Sequence, residues 1–178
     1  MKLTLTALVL AGCALAQTPA TVASIYAGQL RTAASEIVPL VEAMPADKMN
    51  FAPTQGEFKG VRTFGEQAKH LGAVLYLVAA AAKGEKVPVD IGAGENGPAS
   101  ANSRETIAKF LKDAFAYASS VAQTLTPENE TQMVASPFGE GKMARGGAMQ
   151  IAVWHSFDHY GQMVVYARMN GVIPPASK

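Results

Sequence analysis

Apolar residues recur at helical spacing along four long stretches of this chain, and a helix carrying such a stripe is marginal in water until another helix covers it. From Thr21 to Met44 the stripe is Val22, Ile25, Leu30, Ala33, Ile37, Val41 and Met44, bounded by Pro19 and Pro45, with a kink expected near Pro39. Thr63-Phe64-Gly65-Glu66 is a capping box, in which the threonine oxygen and the glutamate carboxylate satisfy open backbone donors, so a second helix starts there and runs to about Lys83. Asn102-Ser103-Arg104-Glu105 repeats the pattern ahead of a third helix that reaches about Leu125, with Ile107, Phe110, Leu111, Ala114, Ala118 and Val121 facing inward. A fourth begins near Arg145 and ends at Asn170-Gly171, where the glycine supplies a left-handed cap before Pro174-Pro175. Residues 84–102 are rich in Gly, Pro and Ser and longer than the usual helix connection, which marks them as mobile or functional. No stretch alternates convincingly in the manner of a strand. The expected fold is all-α, a four-helix bundle with a long connection between helices two and three.

The first sixteen residues stand apart from that bundle. Lys2, the apolar run to Leu15 and the small-residue site Ala14-Leu15-Ala16 have the form of a secretory signal, which predicts a single mature domain over residues 17–178. Leu10-Ala11-Gly12-Cys13 also fits a lipobox, in which residues 1–12 are removed and Cys13 is lipidated. Either route exports the protein, to the periplasm or beyond the cell, and only lipidated Cys13 would tie it to a membrane. The run is shorter than the ~20 apolar residues of a permanent span. Cys13 is the only cysteine, so the exported domain would carry neither a disulfide nor a thiol of its own. The chain has 15 Lys and Arg against 14 Asp and Glu, and loss of Lys2 with the leader balances them. That balance offers no electrostatic footprint for nucleic acid.

All three histidines fall where one metal ion could use them. His155 and His159, four residues apart, project from nearly one face of the fourth helix, and His70 would arrive from the second. Imidazole nitrogens suit zinc at about 2.1 Å, and with no fourth protein ligand evident the site keeps positions open for water or substrate, as catalytic sites do. Glu66, one turn before His70, and Asp158 and Gln162, beside the pair, are candidates to accept the imidazole N–H groups that the metal does not use. His155-Ser156-Phe157-Asp158-His159 carries serine where H-E-x-x-H places its glutamate base, and no acidic ligand follows Asp158 as H-x-x-E-H requires. Gly92-Ala93-Gly94-Glu95-Asn96-Gly97 spells a dinucleotide fingerprint but lacks the flanking strand and helix, and Pro98 follows at once, so it reads as a loop.

With these residues in place, the chain resembles the DinB-like superfamily, which includes YfiT-like metal-dependent hydrolases and thiol-dependent transferases. The likeness covers roughly Val22 to Pro175. It rests on Phe51-Ala52-Pro53, on His70, and above all on His155-Ser156-Phe157-Asp158-His159-Tyr160-Gly161-Gln162 running on to Tyr166, Arg168, Asn170-Gly171 and Pro174-Pro175. The resemblance implies an up-up-down-down-like bundle with a long crossing connection. It also implies a divalent ion, often zinc or nickel, on His70, His155 and His159, and a homodimer formed through helices.

Two functions are expected on this footing. The first is a metal-dependent enzyme, either a hydrolase or a transferase using an external thiol, acting on a small molecule that the sequence does not identify; no catalytic residue is assigned. Export favours hydrolysis. The second is a non-catalytic envelope protein that binds metal or a small ligand, a reading supported by the lack of an evident general base.

Overall fold

The four expected helices form as α1 (Val22–Ala43), α2 (Phe64–Lys83), α3 (Arg104–Ala122) and α4 (Arg145–Met169). The computed structural model describes residues 19–178, so the leader, its two candidate cleavage patterns and Cys13 lie outside the described residues. α1 starts from a reciprocal cap between Thr21 and Ser24 and continues unbroken through Pro39. Its expected inward residue Ile25 is 46% exposed, because the buried face runs instead through Ala27, Leu30, Ala33 and Ile37.

At the start of α2 the capping box forms as read: the Thr63 N–H donates to Glu66 Oε2 at 2.8 Å, and the Glu66 N–H donates to Thr63 Oγ1 at 3.3 Å. α3 departs from the expected pattern by one residue. Ser103 is its cap and Thr106 the reciprocating residue, while Glu105 pairs with Arg104 at 2.7 Å. The helix stops at Ala122, so Leu125 is buried beyond its end rather than within it. α4 has no side-chain cap. Its first amides are instead satisfied by chain that precedes it: Arg145 N–H donates to the Gln132 carbonyl at 3.0 Å and Gly146 N–H to that of Glu130 at 2.8 Å. Its far end falls at Asn170-Gly171, as the sequence suggests.

The packing order defines the bundle. α2 lies against α3 and α4, and α1 lies against the same two, so α1 and α2 face each other across the bundle, as do α3 and α4. Sequence neighbours on a diagonal need connections that cross the end of the bundle, and residues 44–63 and 123–144 serve that purpose. The long α2–α3 connection, residues 84–103, is present as expected but joins adjacent helices; its length is used to fold back on α2. Leu30, Ile37, Leu71, Leu75, Leu111 and Met149 are fully buried at the centre.

One element was not legible as a strand. Met133–Ala135 (β1) and Lys142–Ala144 (β2) pair antiparallel, with Val134 opposite Met143. Three-residue strands are too short to show alternation. They project a loop, residues 136–141, toward the α2–α4 side of the bundle, where it becomes part of the site. Among the described residues no helix is long and apolar enough to cross a membrane.

The reciprocal cap fixes where α2 begins and therefore which of its residues face α4. Thr63→Ala should lower stability by about 1 kcal/mol, the usual cost of losing such a cap, read as a reduced Tm with the helical content unchanged.

Candidate metal centre

His70 sits in the second turn of α2, and His155 and His159 lie one turn apart on α4, which α2 packs against. Each offers one ring nitrogen, and the three nitrogens lie within 4.8 Å of one another. His155 and His159 have ring centroids 4.4 Å apart, and His70 lies 5.3 Å and 5.0 Å from them; all three pairs meet edge to face. The i, i+4 spacing supplies two nitrogens and the helix pairing the third.

Two of the rings have defined tautomers. His70 Nδ1 meets the backbone carbonyl of Glu95 at 2.8 Å, and His159 Nδ1 meets the side-chain carbonyl of Gln67. Both partners are acceptors, so both Nδ1 atoms carry the proton and donate it, which leaves Nε2 with a free lone pair on each ring. His155 contributes a third nitrogen: its Nε2 is buried and has no hydrogen-bond partner. A buried imidazole nitrogen without a partner is costly unless something binds it. Neutral imidazoles held by backbone and amide groups, with their other nitrogens converging, are the donor set that zinc and nickel accept.

The groups that orient the rings differ in part from those expected. Glu66 does not serve His70; its carboxylate is committed to the Thr63 amide at the start of α2. Gln67, one residue on, is the group that meets His159. Gln67 is almost fully buried and in turn donates from Nε2 to Gln162 Oε1 at 2.9 Å, and Gln162 Nε2 reaches Asp158 Oδ2 at 3.4 Å. Gln162 and Asp158 therefore act at the outer end of a relay that leads to His159 rather than on the rings directly. The signal for Gln67 was present in the sequence. It shares a helical face with Leu71 and Val74, while Glu66 occupies the capping position.

Residues 92–97, the false dinucleotide fingerprint, are the loop that holds His70. Gly92 has φ +69° and a Cβ there would sit 2.2 Å from the Gly97 carbonyl oxygen; a Cβ on Gly97 would press on Lys69 at 2.8 Å. The glycines thus let the loop close on itself and lie flat against α2, bringing the Glu95 carbonyl to His70. Glu95 itself has a positive φ of 53°, a strained conformation for a side-chain-bearing residue. Arg62, which was not anticipated, clasps the same loop through Asn96 Oδ1 at 3.3 Å, and its Nε is buried without a partner.

Burial is the main reason that all three imidazoles resist protonation. It lowers His70, with the Arg62 charge adding to the effect and the bond to the Glu95 carbonyl opposing it. His155 is lowered to about 4 by burial and then by repulsion from His70, and His159 to about 3 by burial and then by repulsion from His155 and His70. At neutral pH the cluster is uncharged, the state required of metal ligands.

A cavity of about 390 Å³ opens beside the cluster, lined by His70, His155, Glu95, Val74, Ile151, Trp154 and Phe138. His159 is not part of its wall. A larger concavity, about 750 Å³, runs shallowly along α1 between Ile25 and Phe157 and touches none of the histidines. The smaller one adjoins the chemistry. Ser156, the residue in place of a glutamate base, is fully buried and donates to the Ala152 carbonyl at 2.7 Å, so it takes no part.

A four-helix bundle with diagonal sequence neighbours and a three-imidazole cluster between its second and fourth helices is a narrow class of protein. The sequence profile of the DinB superfamily matches residues 29–163, and the chain belongs to that superfamily. Among solved structures, a DinB-like protein from Bacillus cereus superposes with a TM-score of 0.65 at 17% identity, covering 84% of this chain and 93% of its own. A DinB-like protein from Bacillus subtilis gives 0.60 at 16% identity, with 83% and 92% covered. At such identities the likeness is one of fold. No curated protein matches the chain.

Two outcomes are expected of the site. Gln67→Leu keeps the bulk but removes the acceptor for His159, and should weaken metal affinity roughly 10- to 100-fold in a competition titration. For the metal-free protein, unfolded histidines take up protons as pH falls through ~6.5, whereas folded His155 and His159 do so only near 4 and 3. Unfolding therefore binds protons in that window, so this contribution to stability is complete above pH ~6.5 and is lost progressively below it. Melting in chelator should show Tm falling from pH ~7 to ~5, with a smaller fall in His155→Ala.

Proposed function

We propose that this chain is a metal-dependent hydrolase that uses zinc or nickel held by His70, His155 and His159. The observation that carries the reading is the buried, unpartnered Nε2 of His155 beside two imidazoles whose tautomers leave their own Nε2 atoms free. A divalent ion bound there acts as a Lewis acid, acidifying a water or an external thiol and polarising the bond to be broken. The protein's part is to keep three imidazoles neutral, fix two of them through Glu95 and Gln67, and limit water in an apolar chamber. Glu95, which lines the same chamber as His70 and His155, is the carboxylate available there to accept a proton.

Thiol transfer is the companion reaction for such a site, since an external thiol can take the place of water. Hydrolysis is preferred on the strength of the leader pattern in residues 1–16, because an exported enzyme is separated from cytoplasmic thiols. Export to the periplasm or the medium is part of the same proposal.

The test is metal content. Wild-type protein should hold about one zinc or nickel per chain, and His155→Ala should hold none. At 100 times its Kd the ion should stabilise the wild type by about 2.7 kcal/mol, an effect absent from the variant. Ester or amide hydrolysis should disappear with the metal. Metal retained without turnover of any substrate would point to a binding protein, and no metal in either protein would remove the proposal.

A further inference from the structure

We propose that the cavity between the hairpin loop and α4 receives the uncharged, apolar body of a small substrate, and that Phe138 and Trp154 determine specificity for it. The assignment of this occupant as a substrate rests on the metal reading; the binding of an apolar body does not. His70, His155 and Glu95 form one wall of the cavity, and the others are Val74, Ile151, Trp154 and Phe138. At about 390 Å³ it is at the small end of the ~300–1,000 Å³ typical of ligand sites, enough for one ring with a short substituent.

The lining contains no Lys or Arg, so an anionic body would lose its water without gaining a partner. Glu95 is the one carboxylate residue of that lining, and Arg62, which clasps the same loop through Asn96 at 3.3 Å, offsets its pull on a cationic body. The apolar side chains come from separate elements and converge. Trp154, on α4, sets its ring edge to face with His155 at 5.5 Å, and Phe138 reaches the same space from the tip of the hairpin. Both are more than half exposed, Trp154 at 53% and Phe138 at 54%, and neither belongs to the core. Large aromatic surfaces left uncovered beside two converging imidazoles are what a ligand's apolar face would cover.

Trp154 is the only tryptophan in the chain, so intrinsic fluorescence reports on this cavity directly. The probe is 4-nitrobenzyl alcohol, a neutral aromatic quencher, titrated into the full chain in metal-free and zinc-loaded forms. The expected result is saturable quenching in both, reversed by cyclohexylmethanol and not by sorbitol, with the anion 4-nitrobenzoate binding the metal-free protein at least tenfold more weakly. Phe138→Ala, a change at an exposed loop position, should raise the Kd several-fold, in keeping with loss of one aromatic contact, while metal content stays at the wild-type value. Linear, unsaturable quenching, equal binding of 4-nitrobenzoate, or an unchanged Kd in Phe138→Ala would overturn the inference even in protein that takes up zinc. Saturable quenching in protein that takes up no zinc would keep the cavity's ligand class and remove the metal reading instead.

Discussion

Three imidazoles can be packed between two helices only if none of them carries a charge and their donor groups are satisfied, and the rest of this site answers to that requirement. One protonated ring would sit in surroundings that solvate charge poorly, and a second would be repelled by the first across 4–5 Å. For two of the three rings the protein meets the requirement with neutral acceptors: a backbone carbonyl for His70 and an amide carbonyl for His159. A carboxylate in direct contact would have favoured the protonated rings. The one carboxylate in the network, that of Asp158, is kept two amides away from His159. Nitrogens kept as free bases in this way are available to a cation without first having to release protons.

The same requirement accounts for the loop that folds back on α2. Its glycines are dispensable to a connection between adjacent helices but necessary to one that must press its backbone against the helix and present the Glu95 carbonyl. Length that the topology does not demand is spent on orienting one ring.

What the sequence made legible follows the reach of each signal. Helical periodicity and the Thr63–Glu66 box are local, and they located α2 closely. The i, i+4 histidines are local too. By contrast, the partner of His70 is a main-chain carbonyl 25 residues away, and no side-chain identity announces a carbonyl. Glu66 is charged and one turn before His70, but the capping box commits its carboxylate, and Gln67 occupies the face that meets His159. The hairpin is not legible because three residues cannot display a period, and its loop matters through Phe138, whose partners on α2 and α4 are distant in sequence. At α3 the cap moved from Asn102 to Ser103 because Thr106 can reciprocate with Ser103.

The diagonal placement of consecutive helices also orders events in time. Of the four adjacent helix pairs only α2–α3 is consecutive in the chain, so it is the pair whose closure costs the least entropy, and α1 and α4 must dock on what it provides. Two of the three histidines ride on α4, which follows the other three helices of the bundle in the chain. During synthesis the emerging chain presents a lone His70 until α4 has followed, and the three-nitrogen cluster comes into being only as the bundle closes.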